Sequence, residues 1–295
     1  MRHGSLQKLP TARPRADPPM IVELAPAKIN LALHVRRRRA DGYHELETLF
    51  AFLQAGDTIS VARATEPSFR VTGPFAEGLT GEGDNLVTRA ARLFGERFGD
   101  TGALDIVLDK HLPIASGIGG GSADAAATLR ALARLQGIAG DDAALFAIAE
   151  ALGADVPACL LGRSAIGTGK GEQLEPVAGL VDTPVLLVNP GVAVSTGPVF
   201  RAWDGVDRGG IGAGDLLARA VAGRNDLEPP ARALAPVIGD VVALLQVQPG
   251  VLLARMSGSG ATCFALFDST EHRAQAAALV RAAQPGWWCL ESALA

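Results

Sequence analysis

Lysine is scarce in this chain and tyrosine nearly absent. Of 295 residues only four are lysines, Lys8, Lys28, Lys110 and Lys170, and one is a tyrosine, Tyr43. The three cysteines, Cys159, Cys263 and Cys289, are far apart and lack metal-ligand spacing. This excludes a disulfide framework or a zinc knuckle and predicts buried thiols in a reducing compartment. A net charge of -4 offers no general attraction to nucleic acid or anionic lipid, so neither is expected as a partner and any polyanion must meet a local site. No apolar run is long enough to span a membrane. The basic run at residues 36–39 has four charges and reads as a solvated strand end. Residues 1–20 have basic and proline residues without the apolar centre of a signal peptide, which predicts a disordered extension on a cytoplasmic protein.

What is present is a mixed, ordinary globular composition, with 48% hydrophobic and 20% charged residues. IVELAPAKINLALHV (21–35) is strand-like and broken at Pro26, and DTISVARA and FRVTG continue a small sheet. NLVTRAARLFGERFG spaces Leu86, Ala90, Leu93 and Phe94 as one helix face behind Asp84, an acceptable N-cap. LDIVLD (104–109) reads as a buried strand.

PIASGIGGGSADAAATL (113–129) follows that strand directly, with four glycines in five positions and then a run of strong helix formers ending at Gly137. Ser122 can cap the first turn of that helix. Bare main-chain N–H groups at a helix start, with the partial positive charge of its terminus, suit phosphate. A Walker loop is excluded, because no lysine lies in the stretch. A dinucleotide fingerprint is disfavoured, because Ser122 stands where its third glycine belongs. A glycine turn serving tight helix packing remains the alternative.

Pro113 with GIGGGSADAA resembles the glycine-serine loop of the GHMP kinase family. Four further stretches carry the resemblance in order, from about residue 25 to 267: PAKINLALHV with ADGYHELETLF, LGADVPACL, NPGVAVSTGPVF and RMSGSGATCFALF. Ala115 and Ser116 stand where some members have glycines, and the family's paired serines appear as Ser122 and Ala123.

The resemblance implies an α+β protein of two lobes with the active-site cleft between them. The N-terminal lobe would cover residues 21–165 and the C-terminal lobe 166–295. It implies that ATP is held by Pro113, Ile114, Ala115, Ser116, Gly117, Ile118, Gly119, Gly120, Gly121, Ser122 and Ala123, with Asn85 close to the nucleotide. Mg2+ is expected to arrive with ATP, and no protein ligand for it is named. The implied acceptor is a small molecule, a cytidine diphosphate-linked methylerythritol phosphorylated on its 2-hydroxyl, as in the non-mevalonate isoprenoid route. Another GHMP small-molecule kinase and a non-catalytic nucleotide-binding module stay open as alternatives.

Residue by residue, Asp155 follows a predicted helix (142–152) ended by Gly153, and Val156-Pro157 reads as a loop entering a strand. On residues alone it is a turn aspartate; the resemblance makes it the general base. Lys28 lies in an apolar strand, where an unpaired ammonium is costly, so it should have an acidic partner. The resemblance places it beside Asp155, and an edge-strand lysine is the alternative. Asn30 shares its strand face and is expected to donate to the acceptor polyol as a substrate-binding residue. The resemblance gives Tyr43, His44 and Phe200 to the cytosine ring and Thr196 to the acceptor. Gly258 and Gly260 would let the backbone approach the ligand or the first loop. The glycine-rich segment 204–214 reads as a mobile loop.

Overall fold

The structure, a computed structural model, describes residues 20–79 and 85–295. Residues 1–19 of the expected extension and Asp84 lie outside the described residues.

Two long strands, β1 (Ile21–Arg38) and β2 (His44–Arg63), pair antiparallel along nearly their whole length. Pro26 does not break β1: the register shifts between Pro26 and Lys28 and the strand continues, because a bulge absorbs a residue that cannot join the ladder. In LFAFL (49–53) Phe50 and Phe52 face one core, while Leu49, Ala51 and Leu53 face another. All five are buried, which accounts for a continuous apolar run in place of an alternating one.

β3 (Ser68–Thr72) leads through a short 3-10 turn to α1 (Leu86–Phe98) and β4 (Leu104–Asp109). Next come α2 (Gly120–Gln136), α3 (Ala143–Leu152), α4 (Val156–Leu161), β5 (Ala165–Gly169) and β6 (Gln173–Pro176). The first sheet has the order β3-β4-β2-β5-β6, with β1 on the opposite edge of β2. β5 and β6 thus carry this sheet past residue 165, where the lobe boundary was expected, to Pro176.

The second half contributes β7 (Pro184–Asn189), α5 (Thr196–Arg201), α6 (Leu216–Ala222), α7 (Glu228–Leu234) and α8 (Val237–Gln246). It ends with β8 (Val251–Met256), β9 (Cys263–Phe267), α9 (Thr270–Ala283) and β10 (Trp288–Ala293). Its four-stranded sheet, β10-β7-β9-β8, is antiparallel throughout.

The two sheets lie between two sets of helices. Phe50, Phe52, Ile106 and Leu108 of the first sheet pack against α1 to α4. Ile29, Leu31, Leu49 and Leu53 pack instead against Val185, Leu187, Phe264 and Leu266 of the second sheet. The outer face of that sheet is covered by Ile238, Val242, Ala276 and Val280 of α8 and α9. At about 25 cal/mol per Å² of apolar surface, each fully buried leucine or phenylalanine contributes roughly 2–3 kcal/mol, so the shared middle layer is a strong joint. Leu294 bridges to Leu53, and Ala295 N donates to Phe52 O at 2.9 Å, which adds a main-chain stitch between the halves.

α2 is the central helix of the first half. Ala123, Ala125, Ala126, Ala127 and Ala131 are all buried, and their small side chains let it sit closely among α1, α4 and the sheet. Ser122 does not cap it. The helix starts from Gly119, whose left-handed φ of +67° turns the chain without any side-chain bond. α1 is capped by Asn85, whose Oδ1 accepts from Val87 N and Thr88 N.

The segment 204–214 is pinned, contrary to expectation. Asp207 pairs with Arg36 at 2.9 Å, Gly209 O accepts from Arg224 and bonds the His34 ring, and Ile211 is buried.

Candidate active site

Lys28 lies in β1 at its bulge and is 2% exposed, so although β1 is an outer strand of its sheet, the ammonium points inward and does not guard an open edge. Its Nζ lies 2.9 Å from Asp155 Oδ2 and donates to Asn30 Oδ1 at 3.0 Å. The Phe50 ring lies under the ammonium, 5.4 Å from it to the ring centroid. Asn30 Nδ2 donates to Thr48 Oγ1 at 2.8 Å, and that hydroxyl donates to Ala32 O, so the amide of Asn30 is fixed with its oxygen toward Lys28.

Asp155 does not enter a strand. Val156 to Leu161 form α4, with Pro157 in the first turn, where proline costs no helix bond. Asp155 occupies the N-cap position but its carboxylate caps nothing; it turns to Lys28 and is 39% exposed at the cavity wall. A carboxylate open to a ligand is thereby joined to a buried cation.

The glycine loop packs against these groups. Lys28 N donates to Ile118 O at 3.0 Å, and a Cβ on Gly119 would come within 3.0 Å of Lys28 Cε. Two glycine loops interlock here. Gly117, at φ +77°, would drive a Cβ to 2.6 Å from Ser257 O, while a Cβ on Gly258 would lie 2.8 Å from Gly117 O. Ser257 Oγ donates to Gly117 O at 3.0 Å and accepts from Asn30 N at 3.2 Å. Gly258 thus serves the approach to the first loop. Ala115 holds φ +50°, a conformation that glycine adopts freely and alanine does not.

These elements enclose a cavity of about 890 Å³. Lys28, Asp155 and the loop residues Ala115, Ser116, Gly117, Gly119, Gly120, Gly121 and Ser122 line one part of it, and Asn30, Tyr43, His44, Thr196 and Phe200 also line it. A smaller cavity of about 250 Å³ adjoins, lined by Asn85, Pro113 and Ile114 with Leu79, Leu86 and Leu108, and by Lys110 and Asp124. Asn85 Nδ2 is buried there without a hydrogen-bond partner. Two expected loop contacts do not face either cavity: Ile118 and Ala123 have buried side chains in the core and can offer only main chain.

At the aromatic part, the His44 ring lies 4.9 Å from Phe200, tilted by 38°, and edge-on to Trp203. Burial and the charge of Arg38 hold the His44 ring below its usual titration range, so it is neutral at neutral pH, and its buried Nε2 has no partner. Tyr43 is 55% exposed with Lys170 Nζ 4.8 Å above its ring. Thr196 Oγ1 lies 2.9 Å from Ser259 Oγ. Lys170, Thr48, Ser257 and Ser259 escaped the sequence reading. For Lys170 the signal was available, since it is one of only four lysines.

The chain is 57% identical over 279 residues to the 4-diphosphocytidyl-2-C-methyl-D-erythritol kinase of Rhizorhabdus wittichii, covering 92% of this chain and 94% of that protein. Residues 85–163 match the family model described as GHMP kinases N terminal domain, and residues 210–285 match GHMP kinases C terminal.

The chain belongs to the GHMP kinase family.

A solved 4-(cytidine 5'-diphospho)-2C-methyl-D-erythritol kinase superposes with a TM-score of 0.75 at 38% identity, over 93% of this chain and 99% of that one. Homoserine kinase from Cytophaga hutchinsonii superposes at 0.73 with 20% identity, covering 97% of this chain and 98% of that one, and shares the fold. As a GHMP kinase the chain uses ATP, and the glycine loop beside Lys28 and Asp155 offers main-chain donors for its phosphates. No helix among the described residues is long and apolar enough to cross a membrane.

Proposed function

We propose that this chain transfers the γ-phosphoryl group of ATP to the 2-hydroxyl of 4-diphosphocytidyl-2-C-methyl-D-erythritol, releasing ADP, in the cytoplasm and within the non-mevalonate route to isoprenoid precursors. The observation that carries the reading is the Lys28–Asp155 contact of 2.9 Å, in one cavity with both the glycine loop and the His44–Phe200 pair.

Phosphoryl transfer proceeds through a loose transition state, so the protein's work is alignment and charge neutralisation. The acceptor hydroxyl donates to Asp155, which takes its proton as attack begins. Lys28 keeps Asp155 oriented and balances the negative charge that grows on the hydroxyl oxygen. The N–H groups at 117–122 hold the triphosphate, and the smaller cavity beside Asn85, where Leu79, Leu86 and Leu108 meet Lys110 and Asp124, receives the base. Among the described residues no group of three His, Cys, Asp or Glu side chains is arranged to hold a metal. Mg2+ would arrive with the nucleotide, held in part by its phosphate oxygens.

Cytosine would lie between Tyr43 and Phe200, with neutral His44 offering Nε2 to the base edge. Replacing Tyr43 by alanine removes one stacking face, worth about 1–3 kcal/mol, so KM for the cytidyl acceptor should rise about tenfold or more while KM for ATP stays put. Steady-state kinetics with each substrate varied in turn check this, and equal rises in both KM values would remove Tyr43 from the acceptor site. The reading as a whole is tested by ADP release from purified protein with the cytidyl acceptor, mevalonate or homoserine. It predicts turnover with the first alone, and preference for either other acceptor would replace it.

A further inference from the structure

The phosphate-receiving loop leaves β4 at Asp109 and enters α2 at Gly120, and both of its ends are tied to one buried ammonium. Lys110 Nζ donates to Asp57 Oδ2 and, at 2.7 Å, to Asp124 Oδ2; all three side chains are at most 3% exposed. Asp57 Oδ1 also accepts from the main-chain N–H groups of His111 and, at 2.8 Å, Leu112, so the first turn after β4 hangs from β2. Asp124 lies just beyond the loop, in α2. A Cβ on Gly120 would come within 3.0 Å of Lys110 Nζ, which places the ammonium directly against the helix start. Asp57, Lys110 and Asp124 take no part in the proton or phosphoryl transfer derived above, although Lys110 and Asp124 also line the smaller cavity assigned to the base.

The charges do not balance by themselves. Two carboxylates share one cation, and all three side chains are buried. Both Asp57 oxygens have donors, whereas Asp124 Oδ1 has no hydrogen-bond partner. Burial pushes the Asp124 carboxyl up to about 7, with Lys110 opposing and Asp57 adding to the rise. Burial also acts against the charge on Lys110, but Asp124 and Asp57 outweigh it and hold the ammonium above its usual range. On the other elements packed around Asp124, α1 brings Asn85 with apolar Leu86 and Val87. α4 brings Cys159, a thiol pushed up to about 12 by burial, with Asp155, Lys28, Arg130 and Asp124 acting on it through their charges. The His111 ring is turned to the surface, 2.8 Å from Asp109 Oδ2.

We propose that Asp57, Lys110 and Asp124 are positioning residues for the nucleotide: together they clamp the entry and the exit of the glycine loop, so that its N–H groups converge on the triphosphate. The clamp is neutral when Asp124 carries a proton. Ionised, it leaves one uncompensated negative charge beneath a loop that must hold a polyanion. The inference rests on the reading that this loop holds ATP.

The sign follows from the raised Asp124 carboxyl. Asp124 keeps its proton below about 7 and loses it above, and because ATP binding favours the neutral clamp, binding weakens as pH rises through that value. ATP affinity of the native protein should therefore fall between about pH 6 and about pH 8, by up to about tenfold per pH unit once the group titrates. Asp124→Asn keeps the shape and the bond from Lys110 but has no proton to lose.

The test is equilibrium binding of Mg-ATP by calorimetry over that pH range, which needs no acceptor. The native protein should lose affinity with rising pH relative to Asp124→Asn, the asparagine variant absorbing the contribution of the nucleotide's own ionisation. At about pH 6, where Asp124 carries its proton, Asp124→Ala should raise the ATP Kd about tenfold, consistent with loss of one charge-assisted bond, with the gap to the native protein narrowing as pH rises, and should leave the acceptor KM unchanged. Parallel curves for the native protein and Asp124→Asn would overturn the proposal. So would an alanine variant with a lowered melting temperature and an unaltered ATP Kd, the mark of a group that merely supports the fold. If the alanine protein does not fold, the comparison with Asp124→Asn decides alone. Native protein that binds no ATP at any pH would overturn the reading of the loop, which separates that failure from failure of the clamp.

Discussion

Asp155→Asn should lower kcat by about a thousandfold, within the roughly 10²–10⁴ that a positioned general base contributes. KM for ATP and for the acceptor should move little. Asparagine keeps the size of the side chain and can still accept from Lys28, but it cannot take the hydroxyl proton. Asp155 is partly exposed and caps no helix, so the exchange removes no structural bond except its pairing with Lys28. Steady-state ADP release checks the rate, and calorimetry with each ligand checks that binding survives. A variant that turned over at the native rate would leave the non-catalytic nucleotide-binding module as the better reading.

Lys28→Ala should come next in size, with kcat lowered by about a hundredfold or more and ATP affinity reduced only a few fold. The ammonium is buried, so its field on Asp155 and on the acceptor oxygen is little screened by water. Its loss also leaves Asn30 Oδ1 without the donor that fixes it. Because Lys28 and Asp155 act as one unit, the double variant should be no slower than the slower single one, whereas independent effects would multiply. The same assay on the four proteins of the cycle measures this, and a multiplied loss would separate the two residues mechanistically.

The parts of the site that could be read from the chain are those whose chemistry is local. The glycine loop is contiguous and its purpose follows from missing side chains. Lys28 and Asn30 share a face because strands repeat every two residues, and an ammonium in an apolar strand asks for a partner. The identity of that partner, 127 positions on, came from resemblance, as did the aromatic part of the cavity. The α4 segment VPACLL was misread because a six-residue apolar run has no periodicity that separates buried helix from buried strand, and proline suits the start of either. Ser122 was a sound cap by residue type, but a glycine in a left-handed conformation had already set the helix start. The clamp on Lys110 was invisible for another reason. Its partners are 53 and 14 positions away, on a strand and a helix that only the folded sheet brings together.

The interlocked glycine loops have a consequence for how such a sequence can change. Gly117 and Gly258 each stand where a methyl would strike the other loop's backbone, not a side chain that could swing aside. No neighbouring substitution can make room, since carbonyl groups do not shrink. Each position therefore polices the other, and drift at this seam is closed in both directions at once. A lineage could alter the acceptor it serves by exchanging residues around Tyr43 while this junction stayed fixed.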